Sequence, residues 1–100
     1  MKELKPAHEV IIEEIKQHCQ NLEGIERQPP SETRFPSTHD FIEGVSRASE
    51  IGALCGLLET LQQMVIPPDK LDTVIAELQE ITYVHLAIGA TIEDLEQRKS

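Results

Sequence analysis

The sequence predicts an all-α protein: a short N-terminal helix followed by a long antiparallel helical hairpin, two copies of which pair into a helical bundle. Three observations carry this expectation. Apolar residues alternate at spacings of three and four from Leu71 through Val74, Leu78, Ile81, Ile88 and Ile92 to Leu95, with His85 at the one polar position. That is the mark of a helix packed lengthwise against others. No segment shows the period-two pattern of a half-buried strand. The 100 residues are 39% hydrophobic but only 3% aromatic, so the core is built from Leu, Ile and Val. A chain this short buries a modest share of its surface. Long helices leave more uncovered still, and self-association is the natural remedy.

Residues 1–100 read as one helical domain with four segments. The first helix covers about 6–23: Pro6 suits a first turn and Gly24 an end. Its apolar face is His8, Ile11, Ile12, Ile15, Cys19 and Leu22, and Glu9, Glu13, Lys16, Gln17 and Gln20 lie opposite. A proline-rich loop follows over 24–37, where Pro29, Pro30 and Pro36 forbid regular helix. Phe35 is expected to pin it to the bundle. Ser37 and Asp40 resemble a capping box that opens a second helix over about 38–66. Pro67-Pro68-Asp69 stops that helix and starts a third, over about 68–97. So short a connection makes the last two helices antiparallel.

On the second helix Gly44, Ala48, Gly52 and Gly56 recur every four residues. Each glycine costs about 1 kcal/mol against alanine in a helix interior. A close approach of backbones would offset that cost, and folding at Pro67 brings Gly89 and Ala90 opposite. The expected packing and dimer surface combines this ridge with Cys55 and Leu58, and with Leu78, Ile81, His85, Ile88 and Ile92 from the seam. His85 reads as a register-setting polar residue bonded to Ser49 or to water, or as a pH-sensitive joint.

Chemistry is sparse. Cys19 and Cys55 are too few for a secreted disulfide scaffold. There is no Cys-x-x-Cys, no His-Glu-x-x-His and no inward Glu-x-x-His pair, so no metal is expected. No nucleophile has an evident base beside it, and no strand precedes a phosphate-binding loop. We therefore expect no catalytic residue, no cofactor and no enzyme activity. The first twenty residues hold no signal-peptide core, and no apolar run is long enough to span a membrane, so a cytoplasmic location is expected.

The net charge is −9. That argues against direct contact with nucleic acid or an anionic membrane, which need clustered Lys and Arg. It suits a basic protein partner. From Ala48 to Gln97 the only Lys or Arg is Lys70, so Glu77, Glu80, Glu93, Asp94 and Glu96 are expected to form the acidic partner-binding face. The one basic concentration is Arg27, Arg34, His39 and Arg47, near a helix start where backbone N–H groups attract anions. The leading expectation is a non-enzymatic homodimer that binds and inhibits or modulates a larger basic, nucleic-acid-handling complex. As a class it resembles phage or mobile-element inhibitors of the anti-CRISPR kind, or antitoxins. An alternative is a module that holds an anionic ligand or nucleotide at the four basic residues. A further one is a secretion or assembly chaperone using Leu54, Leu57, Leu61 and Met64.

Overall fold

The computed structural model describes residues 5–26 and 38–99, the side chains of Glu26 and of 38–41 excepted. These residues form α1 (Ala7–Glu26), α2 (Thr38–Gln63), a 3-10 turn (Pro68–Lys70), α3 (Leu71–Gln79) and α4 (Leu86–Arg98). No strand occurs among them, and the all-α expectation holds. The proline-rich loop, with Phe35 and the Ser37 cap, lies outside the described residues.

α1 follows the sequence pattern closely. The Pro6 carbonyl accepts the Glu9 N–H at 3.0 Å and opens the helix. Ile12, Ile15, Cys19 and Leu22 are buried along one face, with His8 beside them at 7% exposure. The helix does not stop at Gly24 but runs through it to Glu26. Gly24 has an ordinary negative φ, and a methyl group there would meet open space. It is therefore a tolerated helical residue and not a terminator.

α2 buries Leu54, Leu58 and Leu61 almost completely. It ends at Gln63, three residues earlier than the apolar pattern suggests. Val65 then points to solvent at 96% exposure while Ile66 turns into the core at 6%. Two prolines follow, and the short 3-10 turn feeds α3.

The long third helix is the principal correction. Its segment breaks after Gln79 and restarts at Leu86, so 68–97 holds a 3-10 turn and two helices. The reason is local. Ile81, Thr82, Tyr83 and Val84 are four consecutive β-branched or aromatic residues, all of which lose side-chain freedom in a helix. His85, read as a seam residue, instead caps α4: its backbone is extended, and its Nδ1 accepts the Ala87 N–H at 3.1 Å. Its ring stacks on Tyr83 with centroids 6.4 Å apart. Thr82 donates a hydrogen bond to the Glu23 carboxylate and ties the connection to α1.

Both halves of the seam still face inward. Leu71, Val74 and Leu78 are buried on α3, and Ile88 and Leu95 on α4, with Ile81 and Ile92 partly covered. The break changes which helices meet. α2 packs on α1 and α4, α3 packs on the same two, and α2 and α3 make no close backbone approach. The expected hairpin of two long helices is thus replaced by four helices around one core. The molecule is elongated, 54 × 37 × 20 Å.

The glycine ridge finds no partner among the described residues. Gly44, Ala48, Gly52 and Gly56 are exposed, as are Gly89 and Ala90. A Cβ added at any of these glycines would meet nothing within 4 Å. Ser49 is exposed too, and among the described residues His85 bonds the Ala87 N–H rather than Ser49.

Candidate protein-docking site

α4 presents two clean faces. Ile88, Thr91 and Leu95 turn inward. Thr91 is fully buried, and its hydroxyl both donates to the Ala87 carbonyl and accepts from Gln62 Nε2, each at 2.8 Å. At 100° per residue, Leu86, Gly89, Ala90, Glu93 and Glu96 fall on the opposite side, and all are exposed. Val84 and Leu86 stand in solvent at 92% and 93% exposure. Val84, His85, Leu86, Gly89, Ala90 and Glu93 line a shallow open groove. The outward face of α4 therefore joins an apolar end to an acidic end.

The cations near this helix are committed elsewhere. Arg98 turns under α4 to the Met64 and Gln62 carbonyls and lies 3.2 Å from Asp94. Lys99 pairs with Asp72. Among the described residues neither Glu93 nor Glu96 forms an ion pair, although Glu96 lies close enough to Lys99 to favour its charged form. Of the five expected partner-binding acids, these two remain available on one surface. Asp94 is half-buried beside Arg98, Glu77 is half-buried on α3, and Glu80 faces Lys16 at 3.7 Å. The expected single acidic face is thus divided between two helices and partly neutralised. Val84 and Leu86 lie off the seam, so its periodicity does not mark them; the signal in the sequence is two large apolar residues on a face otherwise polar.

The basic cluster is not assembled among the described residues. Arg47 is exposed on α2, whereas Arg27, Arg34 and the His39 side chain lie outside them. The patch expected for a chaperone is half covered: Leu54 and Leu61 are 0% exposed, and Leu57 and Met64 are half-buried.

Two polar features sit between helices. A cleft lined by Lys16, Cys19, Gln20, Glu23, Glu80, Ile81 and Thr82 separates α1 from the α3–α4 connection. The Lys16–Glu80 and Thr82–Glu23 contacts bridge its mouth. Burial, aided by Glu23, pushes the Cys19 thiol up to about 11, so it stays protonated and unreactive at neutral pH. Cys55 is partly exposed. No group of three or more His, Cys, Asp or Glu side chains is arranged to hold a metal among the described residues.

The second feature joins α1 to α2. His18 Nδ1 pairs with Glu50 Oε2, and Asn21 Nδ2 donates to Glu50 Oε1 at 3.3 Å. The His18 hydrogen bond, with a smaller contribution from Asn21, holds the Glu50 carboxyl below its ordinary value of 4.5. A carboxyl depressed by folding stabilises the fold above its unfolded value, and that contribution fades as pH falls through the folded value. We expect Glu50→Gln to cost about 1 kcal/mol at pH 7, allowing for the partial exposure of the pair. The difference from wild type should shrink steadily below about pH 4.5. Urea midpoints measured across that range check it, and a pH-independent difference contradicts it.

No helix among the described residues is long and apolar enough to cross a membrane. The chain matches no protein-family model, no curated protein and no solved structure.

Proposed function

We propose that this protein is a non-enzymatic interaction protein, acting as a homodimer, that docks on a basic protein of a nucleic-acid-handling complex and blocks or modulates it. A phage or mobile-element inhibitor of the anti-CRISPR or antitoxin kind, working in the cytoplasm, is the concrete form. The supporting observation is the outward face of α4, where exposed Val84 and Leu86 adjoin Glu93 and Glu96, neither in an ion pair among the described residues. An apolar anchor beside unneutralised carboxylates suits a partner segment that carries aliphatic side chains next to Lys or Arg. The chain's charge of −9 would steer such a partner in from a distance.

The test is binding of the purified protein to basic nucleic-acid-binding complexes from its own cell, at several salt concentrations. Reversing Glu93 and Glu96 to Lys should slow association by about tenfold or more and flatten the salt dependence. Helix content should not change, because both residues are exposed. Binding that ignores both salt and the charge reversal would remove this reading.

A further inference from the structure

The outward face of α2 is conspicuous for what it lacks. Leu54, Leu58 and Leu61 define its inward direction. On the opposite side, residues 42 to 56 carry no charge, although 27% of the chain is charged. Glu43, Arg47 and Glu50 all project toward the inward half. Ile42 and Val45 are 56% and 54% exposed on this side. The N-terminal part of α2 is also short of support: residues 44–49 are exposed all round. Gly44, Val45 and Ser46 are weak helix formers, and a helical stretch with neither propensity nor packing is marginal in water.

We infer that a second copy of this chain covers this face, the two α2 helices crossing antiparallel with Ser49 of each at the crossing point. This rests on the homodimer part of the proposed function and names its surface. Charge selects the occupant. Over residues 42–56 this face offers a basic partner no acid, Glu59 lying one turn beyond, whereas two chains of charge −9 meet most readily where each is uncharged. Shape selects the orientation. The face tapers from Ile42 and Val45 at one end to Gly52, Ala53 and Gly56 at the other, over about 21 Å. Antiparallel pairing sets the bulky end of each copy on the small end of its partner. Parallel pairing would oppose bulk to bulk and leave glycine facing glycine. A Cβ at Gly52 or Gly56 meets nothing within 4 Å, so no neighbour among the described residues requires glycine there. One helix face is smaller than the roughly 800 Å² per partner of a standard interface. The association is therefore expected in the micromolar range, about −8 kcal/mol or weaker.

Sedimentation velocity of the full chain from about 5 to about 500 µM tests this range. Wild type should pass from monomer to dimer. Val45→Glu and Gly56→Leu should stay monomeric throughout with unchanged helical circular dichroism. Gly56→Leu improves helix propensity, and its Cβ meets nothing within 4 Å among the described residues, so the monomer fold is expected to keep it. Oxidised Ser49→Cys should give a covalent dimer that wild type, carrying Cys19 and Cys55, does not. A wild type that is monomeric at every concentration overturns the inference, as do two variants that dimerise like wild type. A monomer that still binds a basic complex in a salt-sensitive way would sink this surface alone. A dimer that binds no basic protein would sink only the proposed partner.

Discussion

Leu58→Ala is expected to lower the stability of the fold by about 2–5 kcal/mol, the range for removing a fully buried leucine. Leu58 is 1% exposed, on the helix that packs against both α1 and α4. The space it leaves would open at the centre of the core, where Ile15, Leu22, Leu54, Leu61 and Leu95 are already fully buried. With few aromatic residues to shift into the gap, collapse around it is limited. For a domain of this size each kcal/mol lowers the melting temperature by roughly 4–8 °C, so a fall of about 10 °C or more should appear in thermal circular dichroism. Val65→Ala, at 96% exposure, should move it little. The loss at Leu58 should not depend on protein concentration, because its contacts are within one chain. This separates Leu58 from Val45, which faces outward on the same helix.

The contrast between these two residues shows where periodicity informs and where it misleads. On α1 the apolar spacing identifies the buried face directly, because one stripe of Ile12, Ile15, Cys19 and Leu22 meets one core. On α2 apolar and small residues surround the helix, and spacing alone cannot choose a side. Val45, Ala48 and Gly52 form as regular a stripe as Leu54, Leu58 and Leu61, yet the first is exposed and the second buried. From Leu71 to Leu95 the seam keeps its phase across residues 80–85, although the backbone there is no longer helical. Four β-branched or aromatic side chains in succession outweigh the pattern, and histidine is not among the preferred N-caps that would advertise a restart. The acidic face was only partly legible for a related reason. Lys16 reaches Glu80, and Lys99 reaches Asp72, between helices far apart in sequence. Which carboxylates remain unneutralised therefore depends on the topology that the break creates.

Arg98→Ala should be the second large loss, about 2 kcal/mol, although Arg98 is not a core residue. Its guanidinium donates to the Met64 carbonyl at 2.9 Å and to the Gln62 carbonyl. Carbonyls at the end of a helix have no partner within it, so α4 caps the end of α2 from outside. The same group lies 3.2 Å from Asp94 Oδ2, a buried oxygen with no hydrogen-bond donor of its own. Removing the cation thus frees two carbonyls and leaves a carboxylate uncompensated. Arg98→Lys should recover less than half of the loss, because an ammonium cannot reproduce the planar fork. Asp94→Ala alone should cost little. In the Arg98→Ala background it should restore about 0.5–1 kcal/mol, the coupling expected of neighbours in one network. Urea denaturation of the four variants closes the cycle, and strict additivity would show that Asp94 does not sense Arg98. The consequence reaches the proposed docking face. Arg98 and the Thr91–Gln62 bond are the polar ties that fix α4 on α2. Loosening them should weaken partner binding even though Val84, Leu86, Glu93 and Glu96 are untouched.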